Sequence, residues 1–325
     1  MEHRRLGRTG LKVSRFGLGC GNFGGVGSDP RFYGQGESES EAFALMDRAL
    51  DMGINFFDTA DAYGGGRSES FIGRWLKTKD STVADRILVS SKAFNPVGEG
   101  PNDRGLSRRH LKRQVERSLK RLGVERLDMF LIHEPDPETP LEETLGALDD
   151  LIHQGKIHYV GASNIEAWRL AKALGLSEKL GLNRFEWVQN GYSLLERDPE
   201  RDLFPLCSEE GLGFTPFSPL AGGWLTGKYT SADDFPEGSR MTLRPEPYAH
   251  LRNDRVLRAL DAFGESARSR GVSMAALALA WVAGHPRTTA VILGPRRPAH
   301  LDPAVEALSI RLSEAERAEI ASLFA

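Results

Sequence analysis

Eight times along the chain a short apolar run gives way to a longer stretch with apolar residues three or four positions apart. No other feature limits the fold as strongly. The short runs read as buried strands, at 16–19, 54–57, 87–92, 127–133, 157–163, 185–189, 212–217 and 289–293. Helices are predicted between them, at 38–52, 68–76, 107–122, 141–153, near 165–175 and near 199–210. Two more follow at about 252–270 and 273–284, and a last one starts at Ser313. Ser38 with Glu41, and Ser313 with Glu316, have the spacing of capping boxes. Gly123 closes the 107–122 helix, whose apolar residues fall at 111, 115, 119 and 122.

Even alternation implies parallel strands joined by crossover helices. Eight such units in 325 residues fit a (β/α)8 TIM barrel. Residues 3–15 read as an N-terminal β-hairpin turning at Gly7-Arg8-Thr9-Gly10. Long loops are expected at 24–36, which contains Pro30, and at 219–250. The expected fold is therefore α/β, with residues 1–325 as a single barrel domain.

A doubly wound sheet would also alternate. Gly19-Cys20-Gly21-Asn22-Phe23-Gly24 even matches the dinucleotide fingerprint G-x-G-x-x-G. That motif works by placing a pyrophosphate on a helix that starts there. Here about a dozen loop residues follow instead, so the match reads as a glycine-lined loop at a barrel mouth.

A net charge of -3 argues against a dedicated nucleic-acid binder. Arg108-Arg109 and Lys112-Arg113 read as a solvated helix face. Cys20 and Cys207 form no framework, which suits a reducing cytoplasm. No apolar run follows Met1-Glu2-His3-Arg4-Arg5 as a signal peptide would require. None reaches membrane-spanning length, and 274–283 reads as a buried helix. No two histidines have ligand spacing at a strand end, so no metal is expected.

The C-terminal ends of barrel strands share one face, where active sites are built. Asp58 ends one predicted strand, with Tyr63 just beyond it. Lys92 ends the next, and His133 the one after. Ser163-Asn164, Gln189-Asn190, Phe217-Ser218 and Gly294 with Arg296 follow. Singly, each has an ordinary explanation as a cap, surface charge or core polar group. Together their chemistry is consistent. A buried Lys92 needs Asp58 as counter-charge. Its ammonium is expected to lower the Tyr63 pKa from about 10. Tyr63 then serves as a proton donor, with His133 hydrogen-bonded at the same oxygen. A tyrosine acid suits a carbonyl becoming an alkoxide, and no nucleophile is implied, so hydride must come from a cofactor. Ser163, Asn164 and Gln189 can bond a carboxamide, Phe217 can stack on a flat ring, and Arg296 with Arg297 can meet a phosphate.

The chain resembles the aldo-keto reductases over essentially its full length. The matching segments are Phe57-Asp58-Thr59-Ala60-Asp61-Ala62-Tyr63-Gly64, Val89-Ser90-Ser91-Lys92, Leu131-Ile132-His133 and Gly155-Lys156-Ile157 through Gly161-Ala162-Ser163-Asn164. Val188-Gln189-Asn190, Phe217-Ser218-Pro219-Leu220-Ala221-Gly222-Gly223 and Leu225-Thr226-Gly227-Lys228 also match. The resemblance implies a TIM barrel and NADPH-linked carbonyl reduction. It makes Tyr63 the proton donor, Lys92 and Asp58 its tuning pair, and His133 the group that orients the carbonyl. Ser163, Asn164 and Gln189 would hold the nicotinamide, with Phe217 stacked on it. Ser218, Pro219, Leu220 and Gly222 would line the pyrophosphate path, and Gly294, Arg296 and His300 would complete the cofactor site. One segment departs: Pro303 and Ala304 stand where Glu and Asn are common and usually contact the adenine. NADPH is expected, with NADH as the alternative.

Substrate choice is expected to lie in loops 22–36, 94–106, 134–137 and 224–250. Phe23, Tyr33, Phe94 and Trp224 are the candidate aromatic wall, and Arg31 and Arg104 the candidate cations, against a solvated reading for both. Two other functions fit parts of the pattern. One is a Schiff-base aldolase using Lys92. The other is a cofactor-sensing module like the potassium-channel β-subunits that share this fold.

Overall fold

In the computed structural model, which describes all 325 residues, the hairpin comes first. Strands β1 (His3–Arg5) and β2 (Lys12–Ser14) pair antiparallel, with Arg4 opposite Val13. Eight parallel strands follow: β3 (Phe16–Gly19), β4 (Phe56–Asp58), β5 (Leu88–Ala93), β6 (Leu127–Ile132), β7 (Ile157–Ser163), β8 (Trp187–Gln189), β9 (Gly213–Phe214) and β10 (Val291–Leu293). Their order is β10-β3-β4-β5-β6-β7-β8-β9. The ring closes where Thr289 N donates to Phe214 O at 2.7 Å and Ile292 N to Pro216 O at 2.8 Å. This is a (β/α)8 barrel with an N-terminal hairpin.

Crossover helices cover the sheet: α1 (Glu39–Asp51), α2 (Arg67–Lys77), α3 (Ser81–Ala84), α4 (Arg108–Leu122), α5 (Leu141–His153), α6 (Ala167–Leu180), α7 (Leu203–Glu210), α8 (Arg240–Leu243), α9 (Asp254–Ser269), α10 (Met274–Ala283), α11 (Asp302–Ala307) and α12 (Glu314–Ser322). Both expected capping boxes form, at α1 and α12. Leu111, Val115, Leu119 and Leu122 of α4 are buried against the sheet. Its basic residues stay at the surface, where Arg108 and Lys112 both pair with Asp150 of α5. Helix α10 is buried from Ala275 to Ala283, and it is short: no helix is long and apolar enough to cross a membrane.

The barrel interior is a second, smaller core. Phe56, Met129, Leu131, Trp187 and Ile292 point inward and meet Leu6 and Val13 of the hairpin, which plugs the N-terminal end. The Trp187 indole needs a neighbour without a side chain. Gly161 supplies it, since a Cβ there would fall 2.6 Å from the ring.

Several expected elements shift. Asp58 lies inside β4, so its side chain is set by the strand rather than by a loop. The 199–210 helix is a 3-10 turn at Asp198–Glu200 followed by α7, with a proline in the first turn of each. The long 219–250 loop holds turns at Ala221–Thr226 and Glu246–Leu251 around α8. Helices α3 and α11 are additions. In α11, Pro303 sits in the first turn, where no N–H is needed. Cys20 and Cys207 are buried and unpaired.

Candidate active site

At the C-terminal mouth β4 and β5 lie side by side, with Asp58 opposite Ser90. That register brings the Lys92 ammonium onto Asp58. Lys92 Nζ donates to Asp58 Oδ2 at 2.6 Å and to Thr59 O at 2.8 Å. The other carboxylate oxygen, Oδ1, accepts from Gln189 Nε2 at 3.0 Å. Both charges are buried, and the added hydrogen bonds are what make such a pair tolerable. Burial alone would discharge Lys92, but Asp58 and then Tyr63 outweigh it and raise its pKa, so the ammonium is retained.

Tyr63 closes the group. The Lys92 ammonium lies 5.1 Å from its ring centroid. Tyr63 Oη is 3.4 Å from His133 Nε2, the two rings meeting edge to face at 80°. Gly21, from the glycine-rich match after β3, passes over the tyrosine, and a Cβ there would rest 3.6 Å from the ring. The phenol pKa is not lowered as expected. Burial pushes it above its ordinary value, and Lys92 only partly offsets that. Tyr63 is therefore fully protonated at neutral pH.

His133 follows β6, and its backbone N donates to Ala93 O at 3.0 Å. Burial, then Lys92, hold it well below its ordinary pKa, so it is neutral. The proton's position is assigned from the Asn95 amide, whose Nδ2 is placed 3.0 Å from His133 Nδ1. An amide nitrogen can only donate, so Nδ1 is the acceptor and Nε2 carries the hydrogen, facing Tyr63 Oη. Asn95 stands in one of the loops assigned to specificity, and no local pattern marks its contact with His133. Asn95→Ala should lower kcat about tenfold, roughly the value of one hydrogen bond, with KM for cofactor unchanged. Asn95→Asp should add an ionisation between pH 5 and 8 to the kcat profile, because a carboxylate favours the imidazolium.

Asp61 is a second unforeseen group. It is buried, and neither carboxyl oxygen has a hydrogen-bond partner. Burial raises its pKa well above normal, Glu69 adds to this, and Arg121 opposes it. The folded state thus holds a proton that the unfolded chain releases above about pH 4, and stability falls as pH rises through that window. Asp61→Asn should melt a few °C above wild type at pH 8, with the gap closing toward pH 5 in thermal unfolding.

The expected cofactor residues line the same mouth. Ser163 Oγ donates to Gln189 O at 2.8 Å, and Asn164 Nδ2 donates to His133 O at 3.0 Å. The donor ends of Asn164 and Gln189 are thus engaged, and their oxygens face no donor. That matches a ligand carboxamide, which offers N–H. The Phe217 ring is half-buried, with Gly191 behind it: a Cβ there would lie 3.6 Å from the ring. Asn164, Ser218 and Ala221 all have left-handed backbone, with φ of 51°, 54° and 46°. Each costs about 1–3 kcal/mol, and such strain collects at functional sites. Ser218 Oγ is 2.7 Å from Tyr248 Oη, and Tyr248 packs over Gly222. Pro219 is buried and Leu220 half-buried between them.

A cationic cluster stands beyond this turn. Burial, then the charges of Arg297, Lys228 and Arg296, depress the His300 pKa. Arg240 stacks near Tyr248, and its Nε is buried without a partner. Gly294 is open, with nothing within 4 Å of where a Cβ would stand. Two free amide oxygens, a half-buried aromatic ring and a cation cluster beyond it fit a nicotinamide dinucleotide. Arg240 and Tyr248 were not foreseen, because they lie in the aperiodic 219–250 loop.

The aromatic wall needs correction. Phe23 and Trp224 are fully buried in the main core, and Trp224 packs against Tyr229 and Phe235 at 5.1 and 5.9 Å. The turn at Ala221–Thr226 tucks the indole inward. Tyr33 and Phe94 stay half-buried. Tyr33 Oη donates to Ala62 O at 3.2 Å, tying the first loop to the Tyr63 segment. Arg31 is exposed and pairs with Asp29, and Arg104 is exposed. For both, the solvated reading describes the structure.

Comparison with known proteins agrees with this geometry. Residues 15–325 match the family model described as the aldo/keto reductase family. The chain is 38% identical to the uncharacterized oxidoreductase YrpG of Bacillus subtilis (strain 168), over 97% of this chain and 93% of that one. It is 33% identical to the versiconal hemiacetal acetate reductase of Aspergillus parasiticus, over 97% and 95%. It is 36% identical to a probable voltage-gated potassium channel subunit beta of Oryza sativa subsp. japonica, over 95% and 92%. A family match from the first barrel strand to the last residue, on a barrel whose mouth gathers these side chains, places the chain in the aldo/keto reductase family.

Proposed function

We propose that this chain reduces an aldehyde or ketone to an alcohol, with NADPH as donor, NADH as the alternative, and Tyr63 as proton donor. The observation that carries the reading is the convergence of Tyr63 Oη, His133 Nε2 and the buried Lys92–Asp58 pair at one point of the mouth. A bound reduced nicotinamide would supply the hydride. Tyr63 gives its proton to the developing alkoxide, and His133 Nε2–H steadies the same oxygen. Lys92 stabilises the phenolate left behind, and Asp58 holds the ammonium in place. Ser163, Asn164 and Gln189 would hold the carboxamide, with Phe217 against the ring. Ser218, Leu220, Gly222 and the Lys228 and Arg240 cations would hold the phosphates, with Arg296 beside them.

The reading treats residues 1–325 as one domain, working in the cytoplasm on a small carbonyl compound, with no nucleic-acid or membrane partner. A Schiff-base aldolase fits less well. Its lysine must lose its proton, and Lys92 is held charged by Asp58. A cofactor-sensing role is the second reading, favoured by the similarity to the rice potassium channel subunit. The test follows loss of reduced-nicotinamide absorbance with a panel of aldehydes, ketones and aldoses. Turnover supports the reductase. Cofactor binding without turnover across the panel supports the sensor.

A further inference from the structure

Arg296 is one of the two arginines expected to meet a cofactor phosphate, and its charge is already compensated. Its Nε donates to Glu37 Oε1 at 2.9 Å, and Nη1 donates to Gly238 O at 2.8 Å. Glu37 sits just before α1 and is fully buried, and its Oε2 has no hydrogen-bond partner. Burial raises the Glu37 pKa, the hydrogen bond and charge of Arg296 oppose that, and the direct ion pair leaves Arg296 and Glu37 near neutral together. A 2′-phosphate would meet that pair with a buried anion behind it. A 2′-hydroxyl carries no charge and loses nothing by the exchange.

We infer that Glu37 sets the cofactor preference of this chain: by neutralising Arg296 it lets NADH and NADPH bind with comparable affinity. The inference rests on the reading that a nicotinamide dinucleotide binds in this cleft. Glu37→Gln is the direct test. It keeps the shape and an oxygen to accept from Arg296 Nε, and removes only the charge.

Calorimetric titration of the full chain with NADP+ and NAD+ gives the readout without turnover. Wild type should bind the two within about tenfold of each other. Glu37→Gln should tighten NADP+ by about tenfold, or about 1.4 kcal/mol, and change NAD+ by less than about twofold. Arg296→Ala should weaken NADP+ by less than about threefold alone, and by about tenfold or more in the Glu37→Gln background. The Arg296→Ala measurement alone decides the matter if Glu37→Gln does not fold. A large loss there overturns the inference. So does a wild type that favours NADP+ by about a hundredfold, or a Glu37→Gln protein that binds NADP+ unchanged or more weakly. If wild type binds neither dinucleotide, the proposed function falls and the inference with it. If both bind and the ratio resists substitution, the inference alone falls.

Discussion

Tyr63→Phe should reduce carbonyl turnover by about a thousandfold or more, within the range that proton donors contribute, while dinucleotide affinity stays within about twofold. The loss should fall on kcat. The hydroxyl is the only atom removed, and it acts in the transition state rather than in ground-state binding. Packing changes little, because the ring keeps its contact with His133 and its place under Gly21. The raised phenol pKa fixes the pH behaviour. Reduction needs the protonated form, so it should hold from neutral pH to about 10 and decline only above that. Alcohol oxidation needs the phenolate, so it should rise over the same alkaline range. A Tyr63→Phe protein with near-normal turnover would remove Tyr63 as the acid. Reduction that falls between pH 6 and 8 would contradict the raised pKa.

Lys92→Met should be the more damaging change to the molecule as a whole. It leaves Asp58 buried without its cation, a defect worth about 3–5 kcal/mol. Activity should be lost too, because nothing then stabilises the Tyr63 phenolate. Lys92→Met with Asp58→Asn should restore most of the stability in denaturant unfolding and none of the turnover. Gln189 Nε2 can still donate to the oxygen of an Asn there. Recovery of both properties would mean the pair is structural only. The pH dependence has a definite sign. The folded Lys92 pKa lies above its ordinary value, so the pair's contribution is full below about pH 10 and fades as pH rises through the folded pKa. Wild type should therefore lose its stability advantage over the double variant in strong alkali.

The alternation of strands and helices was legible because period and length report burial directly. Both capping boxes were legible because they involve only residues three apart. The tetrad was legible because a barrel puts every strand end on one face, so Asp58, Tyr63, Lys92 and His133 needed no knowledge of packing to be grouped. The loops were not legible. Trp224 and Phe23 look like pocket residues in a glycine-rich context, but the turns that carry them fold inward to reach the core. Helix α11 is six residues long, too short for a 3.6-residue period to show.

By itself the sequence determined the fold class, the family resemblance and the kinds of groups at the mouth, because these depend on local periodicity and on strand ends. Only the tertiary structure decided what surrounds each group. It set a half-buried Tyr63 with a raised pKa, an Asn95 that fixes the His133 tautomer, and a Glu37 that cancels Arg296 across 259 residues of chain. Burial and charge partners reach across the sequence, and pKa depends on both. No local pattern carries that information.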